Sequence, residues 1–386
     1  MSRSHTTPGA GQVRLAKPAL LGAIVAVCWA CLMPASTAAA PESSRAAGLV
    51  RPDPDGLADG DLEVLLAGHR GAATACSHCA AAGSEFWLVN TRCAPFCRGL
   101  DRGVDKLTYW KQQGQEWVQY TREKFVAAMD PRLPTTFYVH GNFLNNRLAI
   151  SSATRVYNKI GRGAGPFRLV LWSWPAEHIH GASAAENIEQ KAQRSESQGF
   201  YLAWLIDQLD PDVSLSLAGH SFGARTVTAA LQGLATNRIA GYDLVDRRYE
   251  GPRPMQAALV AAAMDNRLLY PGFRHGEALG QVDRMLVTVN AHDRTLRAYS
   301  LFTDFEVLGL TGVVNPSRLV EDRDKLIQLG PSVLVCTAHR WSRYANSPRT
   351  AARLRPFFIY RNAPAALPPA ESEQRGGQSS GPGFRR

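Results

Sequence analysis

The chain lacks a hydrophobic run long enough to span a bilayer. Its N-terminal apolar stretch, residues 19–33, has about 15 residues where a spanning helix needs roughly 20. Nothing repeats at a fixed period, which sets repeat architectures aside. A concentrated basic surface is also missing. The formal charge is +10, but part of it lies at the two ends, with Arg3, Arg14 and Lys17 at one and Arg375, Arg385 and Arg386 at the other. No basic stripe with interleaved aromatics occurs, so a solvated basic surface is favoured over nucleic-acid binding. The 386 residues, 45% of them apolar, are ample for a sizeable core.

What the N-terminus does contain is an export pattern. Basic residues precede the apolar stretch, and Ala35-Ser36-Thr37-Ala38-Ala39-Ala40 offers small-residue cleavage sites. Residues 1–40 therefore read as a signal peptide, with an uncleaved membrane anchor as the alternative. Export bears on the cysteines. Cys76 and Cys79 form C-x2-C, and Cys93 and Cys97 form C-x3-C, with thirteen residues between the pairs. In an oxidising compartment disulfides are the better reading, ahead of a zinc knuckle. Four cysteines allow three pairings, and the spacing does not choose among them. Cys336 is expected in a buried strand as a small core residue.

Residues 41–84 read as a linker followed by the cysteine-containing segment, with a short helix at 61–67. Residues 85–361 form the main domain. Residues 362–386 are rich in Pro, Gly and Ser and are expected to be disordered. The domain opens with a strand at 86–89. A hairpin follows at 107–110 and 117–120 about Gly114, then a helix at 122–129. Strands at 135–139, 167–172, 214–218, 257–263, 285–289 and 332–336 come next. Helices at 145–159, 184–209 and 224–235 are interleaved with them, and Ser183 and Glu186 form a capping box for the second. Such alternation implies a mostly parallel sheet with helices on both faces, an α/β architecture.

Gly219-His220-Ser221-Phe222-Gly223 lies between a strand and a helix. That is the sequence form of a nucleophile elbow, a turn so tight that glycine flanks the serine. A serine hydroxyl needs a neighbouring base, and the base an orienting acid. Asp293 follows the strand at 285–289 and His339 follows the run at 332–336, which gives the chain order serine, acid, histidine. Asp265, at the end of the preceding strand, is the alternative acid. His275 and His292 are poorer bases by chain order and by loop geometry. The oxyanion would be received by the backbone N–H groups of Phe222 and of Asn142, the latter after Tyr138-Val139-His140-Gly141. His140 is expected to position that loop, and His220 to pack beside the serine. His178 and His180 are expected in a solvated loop. Arg225 is expected in a salt bridge to a neighbouring strand end.

These motifs carry a resemblance. Trp87-Leu-Val-Asn-Thr-Arg92, Tyr138-Val-His-Gly-Asn142, Leu171-Trp-Ser-Trp-Pro175, Gly219-His-Ser-Phe-Gly-Ala-Arg225 and Asn290-Ala-His-Asp293 resemble the α/β-hydrolase superfamily. Within it, the chain looks like a poorly characterised branch of exported bacterial α/β-hydrolases. The resemblance covers residues 86–360 and implies the α/β-hydrolase fold with Ser221, Asp293 and His339 as the triad. It implies no particular substrate beyond a small-molecule or lipid-like acyl compound, and that chemistry requires no cofactor or metal. A fold retained for binding alone and an acyltransferase using the same triad are the alternatives.

Overall fold

The computed structural model describes residues 81–361, except 97, 250 and 252. The expected signal peptide, linker, helix at 61–67 and C-terminal tail lie outside the described residues, as do Cys76, Cys79 and Cys97.

Nine strands build one sheet: β1 (Glu85–Asn90), β2 (Thr108–Gln113), β3 (Glu116–Tyr120), β4 (Thr135–Val139), β5 (Arg168–Ser173), β6 (Leu215–His220), β9 (Met255–Val260), β10 (Arg284–Thr288) and β11 (Leu326–Leu329). The short β7 (Arg238–Ile239) and β8 (Tyr242–Asp243) pair separately. Across the sheet the order is β11-β10-β9-β6-β4-β5-β1-β2-β3. Pairing is parallel from β11 to β1, and only the hairpin strands β2 and β3 are joined by antiparallel ladders. Every residue of β4, β5, β6 and β9 is buried. A parallel strand covered on both faces needs apolar or satisfied side chains throughout, and this explains their unbroken runs. β3, at the edge, has no buried residue and carries Glu116 and Gln119.

The helices are α1 (Leu100–Gly103), α2 (Arg122–Ala128), α3 (Asn146–Gly161), α4 (Ala184–Asp207), α5 (Phe222–Thr236), α6 (Arg294–Ser300), α7 (Leu308–Thr311), α8 (Ser332–Val335), α9 (Trp341–Asn346) and α10 (Pro348–Phe358). α4 and α5 pack on each other, with α5 lying over β4, β6 and β9. α3, α9 and α10 form a second group against β5, β6, β9 and β10. The mostly parallel sheet between two helical layers is consistent with an α/β-hydrolase fold. Local signals set the helix starts. Ser183 Oγ accepts from the Glu186 N–H while a Glu186 carboxylate oxygen accepts from the Ser183 N–H, closing the capping box on α4. Asn145 caps α3 through the Leu148 N–H. Among the described residues no helix is long and apolar enough to cross a membrane.

One expected element is corrected. Residues 332–336 are not a strand: Ser332–Val335 form α8, and the last strand is β11, Leu326–Leu329. β11 already occupies the sheet position beside β10. The chain then meets Gly330 and Pro331, and Pro331 caps a one-turn helix running over the end of the sheet. Val333 and Leu334 are consequently exposed, and so is Cys336, whose φ is +52°. Cys336 is not a core residue.

The crossing of α4 and α5 is close because Gly199 has no side chain. A Cβ there would stand 2.5 Å from the Ala229 Cβ. Gly199→Ala should therefore lower stability by about 1–3 kcal/mol through overpacking, despite the better helix propensity of alanine. Urea denaturation checks this, and an unchanged or raised midpoint would show that the helices can separate without cost.

Candidate active site

The site is built at the ends of β4, β6, β10 and β11. Ser221 leaves β6 with φ +56° and ψ −119°, a conformation rarely held by a residue with a side chain. Sheet bonds fix it there: its N–H donates to the Val260 carbonyl at 3.0 Å, and its carbonyl accepts from the Ala263 N–H at 3.3 Å. The flanking glycines are required by contact. A Cβ on Gly219 would meet the Ala224 Cα at 2.5 Å, and one on Gly223 the Val139 carbonyl oxygen at 2.2 Å. Serine is a favoured N-cap residue, yet Ser221 heads α5 without a side-chain capping bond. Its hydroxyl is thus not committed to the helix end.

The loop after β10 carries Asp293, the expected acid. Asp293 is fully buried; its Oδ1 caps α6 through the Leu296 N–H at 3.0 Å, and its Oδ2 faces His339 Nδ1 at 2.9 Å. A carboxylate accepts, so Nδ1 carries the proton and Nε2 is left with its lone pair free to act as a base. The two loops are tied together elsewhere. Asn290 Nδ2 donates to the Cys336 carbonyl at 2.9 Å, and the Arg294 N–H to the Thr337 carbonyl at 3.3 Å. The alternative acid stands apart from this pair. Asp265 is chelated by Arg267, with a side-chain contact of 2.8 Å and a bond from the Arg267 N–H at 2.9 Å.

Two buried histidines flank the serine. His220 Nε2 donates to the His339 carbonyl at 2.9 Å, and the two rings lie 5.0 Å apart. His140 Nδ1 donates to the Gly141 carbonyl at 2.8 Å while its Nε2 accepts from the Trp174 N–H at 3.3 Å. Burial holds both imidazoles neutral, with pKa values pushed down to about 3, helped by Arg92 near His140 and by His339 near His220. The bond to the Gly141 carbonyl sets the peptide that follows. In a trans peptide the N–H opposes the C=O, so the Asn142 N–H points away from His140. This peptide passes against Ser221: a Cβ on Gly141 would stand 3.0 Å from the Ser221 Cβ. Neither the Asn142 nor the Phe222 N–H meets an acceptor among the described residues. Two such donors beside an uncommitted serine hydroxyl are what an oxyanion requires.

Other residues fall elsewhere. His275 is fully buried, 3.0 Å from Glu196 and 2.9 Å from the Thr228 hydroxyl. His292 is exposed beside the acid, and His178 and His180 are exposed in the loop after β5. Arg225 does form a salt bridge, but its partner is Glu196 on α4 at 2.8 Å and not a strand end. Burial alone would raise the Glu196 pKa, yet His275, Arg225 and Arg274 outweigh it and bring it to about 2. Cys93 is exposed in the loop after β1.

Sequence reasoning missed a group on α4 and its neighbours. Lys191 is fully buried and donates to Asn142 Oδ1 at 3.2 Å and to the Glu177 carbonyl. Arg92 pairs with the Glu177 carboxylate and donates to the Leu144 carbonyl at 3.1 Å. Asn187, Lys191 and Ser195 recur every four residues on the buried face of α4, where an apolar stripe would ordinarily run. That break in the pattern was the available signal.

No family model and no curated protein matches the chain. Among solved structures it is similar to esterase B from Lactobacillus rhamnosis inhibited by a C4-C4 tributyrin phosphonate. That likeness has 12% identity, covers 75% of this chain and 88% of that one, and has a TM-score of 0.35. A C6-C4 inhibited form of the same esterase has 12% identity, 70% and 84% coverage, and a TM-score of 0.32. The esterase Est22 has 14% identity, 77% and 86% coverage, and a TM-score of 0.33. All three are distant, and the strand order and site geometry of this chain stand independently of them.

The contrast between the two acids gives a test. Asp293→Asn keeps an N-cap for α6 but presents the wrong partner to His339 Nδ1. It should reduce the kcat of ester hydrolysis by roughly 10³ to 10⁴ with little change in stability, while Asp265→Asn should leave kcat nearly unchanged. Steady-state rates on both purified variants check this, and a crippled Asp265→Asn enzyme would move the acid to the earlier strand.

Proposed function

We propose that this chain is an exported serine hydrolase that cleaves a carboxylic ester or related acyl bond. The observation that carries the reading is the 2.9 Å contact between His339 Nδ1 and the buried Asp293 carboxylate, with the His339 carbonyl bonded to His220, the residue before a strained serine that makes no side-chain capping bond. In this mechanism Ser221 Oγ attacks the acyl carbonyl carbon, and His339 Nε2 takes the serine proton. Asp293 holds the imidazole tautomer and stabilises the imidazolium. The Phe222 and Asn142 N–H groups receive the oxyanion. His339 then gives the proton to the leaving alcohol as the tetrahedral intermediate collapses, and water repeats the sequence to release the acid. The substrate is a small-molecule or lipid-like acyl compound. The exposed Val333 and Leu334 on α8, just before His339, and Phe143, just after Asn142, support an apolar acyl group.

Ser221→Ala should abolish turnover across a series of p-nitrophenyl esters of increasing chain length. Loss of one small hydroxyl that caps nothing should change stability by no more than about 1 kcal/mol. Residual esterase activity equal to the wild type would remove Ser221 from the mechanism.

Export belongs to the same reading and predicts the state of Cys76, Cys79, Cys93 and Cys97. Protein recovered from an oxidising compartment should show no titratable thiol among these four and no stoichiometric zinc. One zinc per chain, with four thiols released on chelation, would replace the disulfides with a metal knuckle and leave the hydrolase reading standing.

A further inference from the structure

Lys191 is a buried cation that the mechanism above does not use. It lies on α4 with no exposed surface, and no carboxylate comes within salt-bridge distance of its Nζ among the described residues. The nearby carboxylate, Glu177, is taken by Arg92. Nζ instead donates to two neutral oxygens, Asn142 Oδ1 at 3.2 Å and the Glu177 carbonyl, and lies 5.6 Å from the centre of the Phe143 ring. Asn142 Oδ1 also accepts from the Phe143 N–H at 2.9 Å, and that oxygen therefore fixes the turn in which Phe143 has φ +61°. Burying an ammonium without a counter-ion is costly, and a loop could be tied down by a neutral donor at less cost. The arrangement is explained if the missing negative charge arrives during the reaction.

We propose that Lys191 is a positioning residue of the oxyanion loop, which holds Asn142 in place and sets an uncompensated positive charge behind the N–H groups that receive the oxyanion. The inference rests on the serine-hydrolase reading and deepens it. The charge that forms on the substrate oxygen is the counter-ion that the folded protein withholds, so the interaction is stronger in the transition state than in the ground state.

The surroundings make this charge sensitive to pH. Burial depresses the Lys191 pKa to about 7; Arg194 on α4 and Arg92 from the β1 loop add to this, and Glu177 from the β5 loop opposes it. His140 from the β4 loop faces it as a neutral ring. The ammonium is present below about pH 7 and is lost as pH rises through that value. Activity therefore falls on the alkaline side as Lys191 loses its proton.

The experiment is steady-state hydrolysis of a p-nitrophenyl ester between pH 5 and 9 by the full chain, by Lys191→Gln, by Lys191→Met and by Ser221→Ala as the zero. Gln retains a donor for Asn142 without charge, and Met retains the shape without either. The wild type should show an alkaline limb in kcat/KM near pH 7. Both Lys191 variants should lose that limb and on the order of ten- to a hundred-fold in kcat, with KM changed by less than about two-fold. A kcat for Lys191→Gln within about two-fold of wild type at pH 6.5 would overturn the role of Lys191 and leave the hydrolase reading intact. A wild type no faster than Ser221→Ala would overturn both.

Discussion

The site depends on one backbone constraint: Ser221 held at φ +56° between two glycines that cannot be replaced. A conformation of this kind costs on the order of 1–3 kcal/mol and persists only where its surroundings over-determine it. Here β9 supplies the bond that fixes the Ser221 N–H, and Gly223 lets the start of α5 rest against the Val139 and His140 carbonyls at the end of β4. That contact brings the loops after β4 and β6 together. Loss of the glycines would push α5 away from β4 and separate the serine from the peptide of Gly141 and Asn142. The parallel sheet matters to function chiefly because it aligns these strand ends.

Hydrogen bonding then sorts three histidines into different roles by what each nitrogen faces. His140 and His220 are buried neutral rings whose donors go to backbone carbonyls, one on the oxyanion loop and one on the base loop. His339 is partly exposed, and its inner nitrogen faces a carboxylate, so its outer nitrogen stays available. Residue type alone does not separate these roles. The partner of each nitrogen does. Lys191 completes the electrostatics from behind, as a cation whose hydrogen bonds both go to neutral oxygens.

Much of the architecture was legible in the chain. Continuous apolar runs such as Leu169-Val170-Leu171-Trp172 mark strands covered on both faces, and Ser183 with Glu186 marks the start of α4. The G-x-S-x-G turn located the candidate nucleophile because its physical requirement, no side chain on either flank, is written in residue types. Residues 332–336 misled because a short apolar run does not reveal its period, and the preceding Gly330-Pro331 was the sign of a turn. The choice between Asp293 and Asp265 rested on chain order alone; that Asp265 is chelated by Arg267 depends on a local bend no spacing rule encodes. Lys191 escaped notice because its significance lies in what is absent around it, which only the packed neighbours reveal.

The central claim is that Ser221 is the reacting atom's owner and that His339 activates it. The most direct measurement is to treat the purified chain with a fluorophosphonate and locate the adduct by peptide mass spectrometry. The account predicts one adduct per chain, on the peptide carrying Ser221, formed at a rate that collapses in His339→Ala. An adduct on another residue, or labelling of Ser221 that is unchanged without His339, would contradict it.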